Sequence, residues 1–160
     1  MLNRVFIVLA GLLLWTHCYA AEAEPRPFEP GSLAQILVAR QNQPFLLVLW
    51  SVDCPPCRKE LDLLAEAHRK HPGFDLVLVA TDGIGSADEV HGILKQHGLK
   101  EVESWIFTNP NAQQLRYEID PKWYGELPRA YFYDATHKRL GISGALKPEY
   151  LNVWLADHAS

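Results

Sequence analysis

Cysteine is scarce in these 160 residues: there are three, at positions 18, 54 and 57. So few thiols exclude a disulfide-stapled small fold, and a zinc site built from two Cys pairs lacks its second pair. Positive charge is short as well, with 15 Lys and Arg against 19 Asp and Glu. That balance leaves no basic footprint for a phosphate backbone or an anionic lipid surface, so nucleic acid is excluded as a partner. No apolar run reaches the roughly 20 residues of a membrane-spanning helix. The longest at the N-terminus, residues 5–15, has eleven. Internal repeats and low-complexity tracts are also missing.

That N-terminal run reads as an address and not as part of the fold. Arg4 supplies a basic n-region, residues 5–15 the apolar h-region, and Cys18-Tyr19-Ala20 the small residues ahead of a cut after Ala20. Residues 1–20 are therefore expected to be a secretory signal peptide, with an uncleaved anchor as the alternative. Bulky His17 before Cys18 argues against a lipoprotein site. Cleavage would leave 140 residues, one domain by length, with 14 basic against 19 acidic side chains and two cysteines. The expected location is periplasmic or otherwise extracytoplasmic, with no stable membrane insertion after cleavage. In an oxidising compartment such a chain holds one switchable disulfide.

Residues 21–30 carry Pro25, Pro27 and Pro30 without apolar periodicity, which reads as a linker ahead of a domain over 31–160. Ser32 is placed to cap a short helix carrying Leu33, Ile36 and Leu37. The continuous apolar run from Phe45 to Trp50 has the pattern of a strand covered on both faces, and so belongs near the centre of a sheet. A helix follows over 58–71, stopped by Pro72-Gly73. Residues 74–80 form a second buried strand, ended by the Asp82-Gly83 turn signal. Ser86 to Glu89 matches a capping box, with Val90, Ile93 and Leu94 on one helix face and Gly98 at its stop. Trp105, Ile106 and Phe107 form a strand, Asn109-Pro110 turns the chain into a helix with Leu115 and Ile119, and residues 130–133 and 140–143 form a hairpin. Pro148 opens a last helix with Leu151, Trp154 and Leu155. Strands alternating with helices, then a hairpin and a helix, predict an α/β fold with a central sheet covered on both faces.

The chemistry is concentrated in Cys54-Pro55-Pro56-Cys57, between the first strand and its helix. Two thiols three positions apart at a strand-to-helix turn are what thiol-disulfide exchange needs. The first sulfur can sit at the helix N-terminus, where unpaired N–H groups and the positive dipole end stabilise a thiolate. Pro55 biases Cys54 away from helical angles, and neither proline carries an N–H, so the donors available to a Cys54 thiolate begin at Cys57. A permanently closed structural disulfide is the bland alternative, but so small a loop constrains the unfolded chain little. The histidines at 68, 71, 91, 97, 137 and 158 show no metal-ligand spacing and read as surface residues. Tyr117, Trp123, Tyr124 and Tyr131 read as core and loop packing, with Trp123 and Tyr124 able to border the active-site face.

Trp50 before the Cys pair, Arg58-Lys59-Glu60 after it, and Leu127-Pro128 opening a strand that ends at Asp134 resemble the thioredoxin superfamily. Within it the chain is most similar to the exported TlpA/ResA-type thiol-disulfide oxidoreductases, over roughly residues 30–157. The resemblance implies a thioredoxin-like fold, a central mixed sheet flanked by helices, with an extra helix and strand between about 86 and 107. It implies Cys54 as nucleophile, Cys57 as resolving thiol, Pro128 as an active-site cis-proline, and Leu127 pairing with an extended substrate segment. Trp50, Pro55 and Pro56 are expected to face the substrate with Leu127. An acid at the position of Glu60 tunes thiol ionisation and proton transfer in that group; on residue chemistry alone, a first-turn Glu that complements the helix dipole fits equally. Asp53 stands where the family usually has an aromatic. Val48 stands where thioredoxin keeps a buried Asp, which makes Glu60 the leading substitute.

The expected function is an exported oxidoreductase that reduces disulfides of extracytoplasmic proteins, with cytochrome c maturation thiols among the candidate substrates. The redox-active disulfide is its only expected cofactor, no metal is expected, and a membrane electron-donor protein is the expected partner beside protein thiols and disulfides. The same residues would serve an oxidase or isomerase, and the reduction potential decides. A copper metallochaperone using both thiolates would want a wider Cys spacing and a partner His. A non-catalytic binding module has no need to retain both cysteines.

Overall fold

The computed structural model describes residues 24–108 and 110–158. In chain order the elements are β1 (Arg26–Phe28), α1 (Ser32–Ala39), β2 (Phe45–Trp50), α2 (Pro55–Lys70), β3 (Leu76–Gly83), a 3-10 turn (Ile84–Ser86), α3 (Ala87–Gln96), β4 (Glu103–Phe107), α4 (Ala112–Ile119), β5 (Arg129–Tyr133), β6 (Arg139–Ser143) and α5 (Pro148–His158). The six strands form one mixed sheet in the order β1-β4-β3-β2-β5-β6. β1, β4, β3 and β2 run parallel, β5 is antiparallel to β2, and β6 antiparallel to β5.

Strand β2 behaves as its apolar run predicts: all six side chains are buried. Leu46, Val48 and Trp50 enter one core with Leu61 and Leu64 of α2, Val90 and Ile93 of α3, and Leu151 and Leu155 of α5. Phe45, Leu47 and Leu49 enter the other with Leu33 and Ile36 of α1 and Leu115 and Ile119 of α4. Each such side chain contributes roughly 1.5–3 kcal/mol on burial, so β2 ties both helix layers to the sheet. The topology also sets the site. The C-terminal ends of the parallel strands share one edge, and antiparallel β5, which pairs Arg129 with Leu49, brings its N-terminal end there too.

Four expectations are corrected. The 21–30 segment is not a linker along its length, because Arg26, Pro27 and Phe28 pair with Trp105, Ile106 and Phe107. Phe28 is fully buried against both aromatic rings, and Pro27 is tolerated because β1 is an edge strand. Ser32 does not cap α1: Gly31 does, at φ 93°, while the Ser32 hydroxyl accepts the Glu29 N–H. Ser86 makes no side-chain cap, a 3-10 turn leading into α3 in its place. The strand does not stop at Ala80; β3 runs on through a register shift between Ala80 and Gly83 and takes in Asp82-Gly83 as its last two residues. The expected signal peptide over 1–20 and the turn at Asn109 lie outside the described residues. No helix among the described residues is long and apolar enough to cross a membrane.

Candidate active site

Leaving β2 at the parallel edge, the chain makes a three-residue turn, 51–53, and enters α2 with Cys54 as its N-cap. Cys54 is extended at φ −109° and ψ 95°, as a residue before proline should be, and Pro55 and Pro56 occupy the first helical positions, where no N–H is needed. Cys54 and Cys57 are joined as a disulfide with their Cα atoms 5.2 Å apart. The Cys57 N–H donates to the Cys54 sulfur at 3.2 Å, so the one donor the proline pair leaves at the helix start is aimed at that atom. The two sulfurs differ in access: Cys54 is partly exposed between the exposed Asp53 and Pro55, whereas Cys57 is 1% exposed. An incoming sulfur can reach only the first.

Pro55 and Pro56 are exposed beside Cys54, open to a substrate. Trp50 is not; its side chain is fully buried, which corrects the expectation that it faces a substrate. Its ring completes the core under the turn, and its carbonyl accepts the Thr81 hydroxyl at 3.3 Å. The Leu127–Pro128 peptide bond is cis and lies just ahead of Arg129, at the end of β5 opposite the tip of β2. Leu127 is half-buried and packs against both cores, while the Pro128 carbonyl accepts the Gly144 N–H at 2.9 Å. Trp123 and Tyr131 are core residues, but Tyr124, in the same loop as Pro128, is 91% exposed.

Glu60 sits one turn beyond Cys57 on the face of α2 that enters the core, and only 4% of it is exposed. Leu146, in the connection from β6 to α5, donates its N–H to Oε2 at 2.6 Å, and Oε1 has no hydrogen-bond partner among the described residues. Burial pushes the carboxyl up to about 7, with the Leu146 N–H pulling the other way. A solvated acid complementing a helix dipole would sit outside the core, so the burial of Glu60 speaks against that alternative.

One residue of the site escaped the sequence. Asp82, taken there as part of a turn signal, accepts hydrogen bonds from Ser51 and Val52 in the turn that presents Cys54. A carboxylate after a buried strand was the only hint, and its aim depends on the β3 register shift. The histidines do not converge: His97 meets Asp62, His137 meets the Arg40 carbonyl and His158 the Trp154 carbonyl. Among the described residues no three His, Cys, Asp or Glu side chains are grouped to hold a metal ion.

No family model matches the chain. Over 137 residues it is 26% identical to sporulation thiol-disulfide oxidoreductase A of Bacillus subtilis, spanning 81% of this chain and 75% of that protein. Solved structures with the same fold include a secreted Mycobacterium tuberculosis disulfide oxidoreductase homologous to E. coli DsbE, with TM-score 0.57 and 20% identity over 75% of this chain and 85% of that one. StoA of Bacillus subtilis gives TM-score 0.54 and 20% identity over 73% and 85%. A thioredoxin-family thiol:disulfide interchange protein of Chlorobium tepidum gives 0.62 and 15% over 78% and 85%. With a dithiol couple at the strand-to-helix turn of a thioredoxin-like fold, the chain is a thiol-disulfide oxidoreductase.

Proposed function

We propose that the protein acts outside the cytoplasm as a TlpA/ResA-type disulfide reductase. The observation that carries this reading is the pairing of a reachable Cys54, held against a helix-start N–H, with a buried Cys57 one turn from a buried acid. In the reduced protein the Cys54 thiolate attacks one sulfur of a substrate disulfide, forming a mixed disulfide and expelling the other substrate sulfur as a thiolate, which takes up a proton. Cys57 then loses its proton to the Glu60 carboxylate and attacks the Cys54 sulfur. The second substrate thiolate leaves, and the Cys54–Cys57 disulfide forms. The substrate gains two electrons and the protein loses two, so each cycle ends with a dithiol donor re-reducing the protein. A membrane protein that passes reducing equivalents outward fits that need.

Leu127 and the exposed prolines border the approach to Cys54, and an extended segment of a partner protein is the substrate that suits them. The apolar run over 5–15 and the secreted character of the Mycobacterium tuberculosis relative support an extracytoplasmic location. Thiols of cytochrome c maturation are the substrate class we favour. The test is the equilibrium of the 54–57 couple against a glutathione series. A potential more reducing than about −200 mV supports the reductase, and one near the roughly −120 mV of a strong oxidant overturns it.

A further inference from the structure

One carboxylate outside the Cys motif holds the turn that presents Cys54. Asp82 uses both oxygens: Oδ1 accepts the Ser51 hydroxyl at 2.9 Å and Oδ2 accepts the Val52 N–H at 3.1 Å. The Ser51 hydroxyl oxygen accepts the Asp53 N–H at 3.3 Å, and the Ser51 carbonyl accepts the Cys54 N–H at 3.2 Å. Every backbone N–H from residue 52 to residue 54 therefore ends on Asp82 or on the residue Asp82 grips. Only a carboxylate offers two separate acceptor oxygens for such a grip. The register shift between Ala80 and Gly83 is what takes Asp82 out of regular ladder pairing.

We propose that Asp82 is a positioning residue for the exchange reaction: by holding Ser51 and Val52 it keeps the Cys54 sulfur at the start of α2, against the Cys57 N–H. The proposal rests on the reading of Cys54 as the attacking thiol. Pro55 and Pro56 supply no N–H, so a turn that drifts loses the nearest donor that stabilises the thiolate, and the thiol becomes harder to ionise. The charge of Asp82 acts in the opposite sense, since a nearby carboxylate disfavours a thiolate. Grip and charge thus predict opposite signs when Asp82 is replaced.

The experiment is iodoacetamide alkylation of the reduced whole protein across pH, with mass spectrometry assigning each modification to Cys54 or Cys57 and a melting curve for every variant. Asp82→Ala removes grip and charge together, and Cys54 should alkylate about tenfold more slowly at pH 7. Asp82→Asn can keep the Val52 N–H on its amide oxygen and donate to the Ser51 oxygen, so it should stay within about twofold of the wild type. Ser51→Ala should show part of the loss, and should add nothing in the Asp82→Ala background. Ser51→Ala deletes a single hydroxyl and keeps the test decisive if Asp82→Ala does not fold. Faster alkylation in Asp82→Ala, additive losses, or lower melting points with unchanged alkylation would each overturn the positioning role. A wild-type protein whose Cys57 alkylates before Cys54 would overturn the underlying reading, and this proposal with it.

Discussion

Two acids at different places in the fold, Glu103 half-buried and Glu60 buried, are treated in opposite ways. Glu103, at the start of β4, accepts Arg40 Nη2 at 2.8 Å on one oxygen and the Trp105 indole N–H at 2.7 Å on the other. Burial works against its charge, yet those donors outweigh burial and hold its carboxyl below the ordinary carboxylate range. Arg40 also binds Asp75 through two hydrogen bonds at 2.8 and 2.9 Å, so the ends of β3 and β4 share one cation. Among the described residues Glu60, one turn beyond the dithiol, has a single backbone donor and an oxygen with no partner, and its carboxyl is raised to about 7. The fold satisfies the acid that only holds strands together and leaves poised the acid that lies next to the chemistry. A half-satisfied buried acid costs stability, so its retention at the reactive end fits a proton-handling task.

The sharpest way to break this comparison is at the cysteines, where the whole activity is at stake. Cys54→Ser should abolish exchange and trap no partner, while Cys57→Ser, unable to resolve, should accumulate a mixed disulfide through Cys54 that non-reducing gels display. Both variants should keep the wild-type fold. Equal trapping by the two would mean that the access difference between the sulfurs does not set the order of attack. Trapping by neither, with copper binding that needs both thiols, would move the assignment to a metallochaperone.

The next effect is a pH dependence. Below about pH 4.5 the Glu60 carboxyl is protonated whether the chain is folded or not. Between there and about 7 the unfolded chain gives up the proton that the folded protein keeps, so stability falls as pH rises, by roughly 3 kcal/mol across the window, and is level above it. Glu60→Gln should remove that slope in urea titrations and shift the pH profile of thiol alkylation. An unchanged alkylation profile would end the proton-transfer role and leave Glu60 a stability liability only. At the paired acids the expectation reverses: Arg40→Met should cost about 2 kcal/mol in urea titrations and leave alkylation untouched. The loss falls short of a fully buried pair because the Asp75 and Glu103 side chains keep 30% and 22% of their exposure.

The poised region was the more legible of the two in the sequence, for a physical reason. A C-x-x-C after a six-residue apolar run is a local signal, and the strand, the helix start and the extended Cys54 all follow from nearest-neighbour sterics and burial. What the sequence hid depends on contacts between distant segments. Pro25, Pro27 and Pro30 argue for a linker until β4 supplies the backbone partners and the aromatic cover that make residues 26–28 a strand. Trp50 looks like part of the site by proximity to Cys54, but strand alternation turns its ring into the core with Leu46 and Val48. Asp82 becomes visible only through the β3 register shift, and the Glu60–Leu146 bond spans 86 positions. Position after the Cys pair marked Glu60 as a candidate; its burial, which no local signal shows, is what sets it apart from a solvated first-turn acid.

The smallest effect expected tests how far the reactive region extends. Arg129, the residue after Pro128, binds Asp120 at 3.2 Å and Ser143 at 2.6 Å while its guanidinium lies 4.7 Å from the Tyr131 ring centre. It can lie there because β6 carries Gly141, where an added Cβ would come within 2.5 Å of Arg129 Nη2 and 3.0 Å of the Tyr131 ring. Gly141→Ala must therefore displace the guanidinium and loosen its hold on Asp120, at about 1 kcal/mol, the low end of overpacking because a flexible side chain can yield. Urea titration reads that loss. Alkylation of Cys54 should not change, since its turn is held by Asp82 and its sulfur by the Cys57 N–H. If alkylation slows as well, the Arg129 network reaches the dithiol through Pro128, and the boundary between the satisfied and the poised regions lies one strand further from Cys54.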